Sequence, residues 1–141
     1  MPAGRATHPL RLLLAALLVA SAPAQAAKDT YARGLKAAGD GNWTEAEARM
    51  REALAEDATP VPRALMYGRV FEPYVPQYFL GIAAHKRGDC AAALRNLQHG
   101  PTRAAVADSK ARARLAKFES AANQALRACE VRRIAVDVVD Q

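Results

Sequence analysis

The chain has only two cysteines, three histidines and eight aromatic residues in 141 positions. Two cysteines exclude a disulfide framework and a four-ligand zinc module. Eight glycines and eight prolines are too few for collagen-like or linker-like material, and an apolar share of 51% is too high for a disordered chain. No apolar run approaches the roughly twenty residues that cross a bilayer. Beyond residue 26 the only serines are Ser109 and Ser120, and the only histidines are His85 and His99. Each histidine lies beside an expected helix end, where the helix dipole favours interaction with terminal carbonyls over general-base work. There is no phosphate-cradling glycine loop, and no His-x-x-x-His or acidic pair at metal-ligand spacing. Catalytic and metal residues are therefore not expected, nor is a cofactor, and an enzyme is not the expectation.

The first segment reads as an address label. Arg5 and Arg11 precede Leu12 to Ala20, which carry no charge, and Ala24-Gln25-Ala26 follows as a small-residue cleavage site. That pattern predicts a secretory signal peptide over 1–26, cleaved after Ala26, and a periplasmic or secreted product. Removing it leaves 18 basic against 14 acidic side chains. The basic excess concentrates in 103–133, whereas 27–60 is net acidic.

From there, helical periodicity dominates. Tyr31, Leu35 and Ala38 form one apolar stripe, and Gly39-Asp40-Gly41 ends it. Asn42 reads as an N-cap with Glu45 as its capping-box partner, and Trp43, Ala46, Met50, Ala53 and Leu54 follow on one face. The plan returns 47 residues later. Tyr78, Gly81, Ile82 and Ala84 make a face, Gly88-Asp89 breaks and recaps the chain, and Cys90, Ala93, Leu94 and Leu97 continue before Gly100-Pro101. Gly41-Asn42-Trp43-x-x-Ala46 overlays Gly88-Asp89-Cys90-x-x-Ala93, with Met50 and Leu97 each four residues further on. Repetition of a helical hairpin is the signature of solenoid architecture.

These residues resemble the tetratricopeptide repeat. Gly-[Asn/Asp]-x-x-x-Ala with a bulky residue four later is similar to the repeat's second helix, and Tyr78-x-Leu80-Gly81-x-Ala83 to its first. The resemblance covers roughly 31–57 and 74–100. It departs at Arg33-Gly34, where Leu-Gly is usual, and at the displaced Pro60. What the resemblance implies is an all-α fold, a right-handed α-solenoid fragment of two antiparallel hairpins at about 30–57 and 74–100, within a domain spanning 27–133. It further implies an interaction module that presents a concave surface to a peptide or partner domain, of the kind found in exported bacterial proteins.

Between the hairpins, 60–76 holds four of the five prolines that follow residue 26. Counted to Phe79, the stretch also holds Tyr67, Phe71, Tyr74 and Tyr78. Proline disfavours helix in the residue before it, so much of this insertion is expected to be extended or turned. Its aromatics either line a groove wall or tie a long loop to the hairpins. Candidate partner-binding residues are Tyr67, Phe71 and Tyr74, with Asn42, Gln77 and Lys86.

After Pro101, Leu115, Phe118, Ala122, Ala125 and Cys129 follow a 3.5-residue seam, which predicts a capping helix over 109–130. A homodimeric coiled coil is the alternative, so homo-oligomerisation stays open. The other face carries Lys110, Arg112, Arg114 and Lys117, candidate contacts to anionic polymer or lipid at an envelope surface. Nucleic acid is not an expected partner, because export argues against it and no aromatics interleave the cations. Residues 134–141 alternate like a strand and are expected as a tail. Cys90 and Cys129 both sit on apolar stripes in an oxidising compartment, which predicts a disulfide between them.

Overall fold

A computed structural model describes residues 22–110 and 112–141. The expected leader lies outside them except for its last turn, where Ala22–Gly39 forms the first helix, α1. Ala26 is exposed, and Ala27, the next residue, is fully buried. Five further helices follow among the described residues: α2 (Trp43–Glu56), α3 (Pro76–Lys86), α4 (Cys90–Leu97), α5 (Gly100–Asp108) and α6 (Arg112–Val139). The strands β1 (Val61–Met66) and β2 (Val70–Tyr74) pair antiparallel between α2 and α3. The chain is thus mainly helical.

The two hairpins α1–α2 and α3–α4 turn by the same hydrogen bonds. Asn42 N–H donates to the Ala37 carbonyl and Gly41 N–H to that of Ala38. Asp89 N–H and Gly88 N–H repeat this with Ala84 and His85, 47 positions on. Gly41 and Gly88 hold φ of 77° and 87°, the left-handed backbone that closes such helix ends. The next helix is then capped by a side chain in each unit: Asn42 Oδ1 accepts from Glu45 N–H at 3.2 Å, and Asp89 Oδ1 from Ala92 N–H at 2.9 Å. The expected reciprocal half of the capping box does not form. Ala37 already takes the Asn42 N–H, and Glu45 pairs with Arg49 at 2.7 Å.

Close approach of the paired helices rests on a second equivalent pair. A methyl group on Gly34 would meet Met50 Cε at 2.8 Å; one on Gly81 would overlap Leu97 Cγ and come within 3.2 Å of the Ala93 carbonyl. Gly34 therefore supplies the small residue of the first unit although Arg33 replaces the usual leucine. The main core gathers Tyr31, Met50, Met66, Tyr74, Val75, Phe79, Ile82 and Phe118. Tyr31 and Phe118 each meet Phe79 nearly edge to face, at centroid distances of 6.0 and 5.0 Å. Such pairs add about 0.5–1.5 kcal/mol each beyond the area they bury.

Three expectations need correction. The all-α assignment misses the strands, which tolerate Pro62 and Pro73 because both strands of a lone hairpin are edges, where a missing N–H is allowed. Gly100-Pro101 does not simply end a helix. Proline at the first helical turn starts α5, whose N-cap is His99, with Nδ1 accepting from Thr102 N–H at 3.3 Å. His99 therefore serves a helix N-terminus and not terminal carbonyls. The capping helix begins at Arg112 and runs through the expected tail to Val139, because no glycine or proline interrupts it. Its predicted seam is kept: Leu115, Phe118, Ala122, Ala125 and Cys129 are all buried.

Cys90 and Cys129 form a disulfide with Cα atoms 5.1 Å apart. It ties the start of α4 to α6. Trp43, 47 residues before Cys90, occupies the equivalent place in the first unit and packs edge to face on Phe118, also on α6. Both hairpins are thus fastened to one helix from one repeat position.

Candidate functional site

The β-hairpin has two unlike faces. Ala64, Met66 and Tyr74 point inward and are 4%, 2% and 2% exposed. Tyr74 donates its hydroxyl to the Ala53 and Asp57 carbonyls at the end of α2, at 2.9 and 2.7 Å. Its ring lies 5.0 Å from that of Tyr31, whose own hydroxyl donates to the Pro73 carbonyl at 2.8 Å. Burial raises the pKa of both phenols well above the ordinary value, since ionisation would strand a charge among apolar neighbours. Tyr74 is therefore a core residue and leaves the set of candidate contact residues.

The outer face carries Arg63, Leu65 and Phe71, whereas Tyr67, in the turn, lines hollows toward α1. Leu65 and Phe71 stand opposite each other across the strands, and both are exposed. The Arg63 guanidinium lies 3.9 Å above the Phe71 ring centroid, close enough for cation–π attraction. Pro62, Arg63, Phe71 and Lys110 line a shallow depression of about 260 Å³. Among the described residues no carboxylate pairs with Arg63, Arg69 or Lys110. At the tip, Tyr67 and Gly68 take φ of 52° and 66°, and Arg69 N–H closes the turn on the Met66 carbonyl. Two successive positive φ values define the tight hairpin turn in which Asn-Gly is the favoured pair. A tyrosine at the first position is strained, and this one is 65% exposed.

The remaining candidates have internal partners. Asn42 caps α2. Gln77 accepts a hydrogen bond from the Thr102 hydroxyl at 3.2 Å, joining α3 to α5. Lys86 sits 5.1 Å above the Trp43 ring. On the basic helix, Arg114 pairs with Glu72 of β2 at 2.8 Å, and Lys117 lies 5.0 Å above the Phe118 ring. The Arg112 side chain lies outside the described set. Lys110 faces the hairpin depression, apart from the acid-paired Arg114. Glu45, Arg49 and Glu52 form surface ion pairs, at 2.7 and 2.9 Å.

Two larger hollows flank this region. One of about 490 Å³ runs between α1, the hairpin and the start of α6, walled by Leu35, Met66, Tyr67 and Phe118 and bridged by Arg114–Glu72. A cleft of about 270 Å³ opens between α5 and α6, floored by Tyr78 and Leu97. The Tyr78 phenol is pushed up to about 12, chiefly by burial and then by Glu119. Lining the cleft, the Thr102 hydroxyl lies 2.8 Å from His99 Nδ1, and Thr102 is 1% exposed. Ser109 is also buried, and Ser120 is exposed on α6. Among the described residues no group of three or more His, Cys, Asp or Glu side chains could hold a metal ion, and no helix is long and apolar enough to cross a membrane.

Leu65 and Arg63 went unnoticed in the sequence. The signal that could have found them is strand parity: Arg63 and Leu65 alternate with the inward Ala64 and Met66. No protein-family model matches the chain, and no curated protein or solved structure matches it either.

Proposed function

We propose that the protein is an exported interaction module of tetratricopeptide-like hairpins that holds a protein partner on the outer face of its β-hairpin. The repeated turn hydrogen bonds and the Gly34 and Gly81 contacts support the repeat reading. A disulfide suits an oxidising compartment.

One observation carries the binding reading. The core needs only the inner face of the hairpin, yet the outer face keeps Leu65 and Phe71 in solvent and the turn keeps a strained Tyr67 there. Exposed aromatics beside an arginine are the residue types that dominate protein interfaces. The conformation at Tyr67 suits asparagine better, so the ring is retained at some expense to the turn.

The test replaces Tyr67→Asn together with Phe71→Ser and compares partner capture by crosslinking in intact cells. Capture should fall about tenfold or more, the scale of losing interface anchors. The melting temperature should hold or rise by a few degrees as the turn relaxes. A lower melting temperature with unchanged capture would assign these side chains to packing.

A further inference from the structure

The cleft between α5 and α6 joins an apolar floor to a charged rim. Leu97 and Leu115 are buried in it, and Val106 and Leu126 are half-buried around the Tyr78 ring. The charged side chains that line it are Arg103, on the α5 wall, and Glu119, on the α6 wall. No ion pair joins them, and neither has another charged partner among the described residues. The Tyr78 hydroxyl and the Asn123 amide also line the cleft, and neither makes a side-chain hydrogen bond among the described residues.

Charge chooses among the occupants of such a cleft. A neutral apolar molecule would cover the floor but crowd water away from two charges without pairing either, which costs free energy. An anion would satisfy Arg103 and face Glu119, and a cation would do the reverse. A molecule that carries both charges satisfies both walls, and an apolar side chain on it covers the floor. The cleft holds about 270 Å³, just under the usual range for drug-sized ligands, so its occupant is small.

We propose that this cleft binds a free α-amino acid with a branched or aromatic apolar side chain. The carboxylate pairs with the Arg103 guanidinium, whose planar fork matches it. The ammonium donates to the Glu119 carboxylate and to the amide oxygen of Asn123, four residues on and on the same face of α6. Glu119 stands close enough to the Tyr78 phenol to raise its pKa, second to burial, so the Tyr78 oxygen is placed to accept a further ammonium N–H. The side chain then rests on Leu97, Leu115 and the Tyr78 ring. The cleft shares no lining residue with the depression on the β-hairpin, so this site and the hairpin surface stand or fall separately.

The test is calorimetric titration of the purified, disulfide-bonded protein with L-leucine and with L-phenylalanine. At least one should bind with a dissociation constant of about 10–100 µM, the scale open to a ligand of this size. The N-acetyl and amide derivatives of that amino acid lack one charge each and should bind at least about tenfold more weakly. Arg103→Gln and Glu119→Gln should each weaken the free amino acid by about tenfold or more. Both positions are exposed, so circular dichroism should stay native. The losses should also match in pairs: Glu119→Gln should abolish the penalty for N-acetylation, and Arg103→Gln the penalty for the amide. No binding of either amino acid at about 5 mM overturns the proposal. Equal binding of the amino acid and both derivatives would overturn it too, by showing an apolar cleft that does not read charge.

Discussion

The first and second helical hairpins share a turn, a cap and a close-packing glycine, yet they are fastened to α6 by different chemistry. Trp43 holds the first through ring contact with Phe118, and Cys90 holds the second through a covalent bond to Cys129. The repeat therefore dictates where an anchor stands and not what it is. Where a tryptophan reaches across half-buried space, the contact depends on surrounding packing. Where a disulfide spans it, the bond chiefly restricts the unfolded chain and needs little packing around it.

The sharpest way to break this comparison is to remove each anchor in turn. Cys90→Ala with Cys129→Ala opens a loop closed over 39 residues and should lower stability by about 2–4 kcal/mol in chemical denaturation. Trp43→Ala should lower it by less than a fully buried tryptophan's roughly 3–5 kcal/mol, because Trp43 keeps partial solvent contact. Equal loss in reducing and oxidising buffer for the native chain would show that the covalent anchor adds nothing.

A smaller difference separates the glycines. Gly81→Ala should cost about 1–3 kcal/mol by overpacking, since the added methyl overlaps Leu97 near its branch and crowds a backbone carbonyl. Gly34→Ala meets the flexible end of Met50 and should lower the melting temperature visibly less. The reverse order would place the tighter helix pair in the first unit.

The finest difference lies in the caps. The Asp89 carboxyl titrates below its ordinary 3.8, first because it accepts the Ala92 N–H, then through Arg87 and Arg95. A carboxylate with a depressed folded value contributes stability above its unfolded value and loses it as pH falls through the folded one. Protection from hydrogen exchange, corrected for the intrinsic rate, should therefore fall at the start of α4 below pH 3.8, while the start of α2, capped by the neutral Asn42, should show no such acid step.

Much of this was legible in the residues. Stripe spacing located both hairpins, the glycine and cap pairs located their turns, and the seam through Leu115 and Cys129 located the disulfide. What escaped has physical reasons. Tyr67-Gly68 conceals a hairpin turn because tyrosine is a poor residue for that backbone, and prolines in both strands argue against strand. Tyr74 could not be sorted from Phe71 without the register that turns one inward and the other out. Gly100-Pro101 reads as a stop, although proline in a first helical turn equally marks a start, here of α5. In the tail, β-branched residues alternate as a strand would, but an unbroken helix upstream carries them with it.

The parity of β1 has one more consequence. Positions 63 and 65, with 71 opposite, face away from the buried Ala64, Met66 and Tyr74 that hold the hairpin in place. Side chains there can be exchanged with the frame beneath left intact, on a scaffold closed by its own covalent bond. The hairpin is thus a ready platform for presenting new recognition sequences, its specificity rewritable along one face and its architecture guarded by the other.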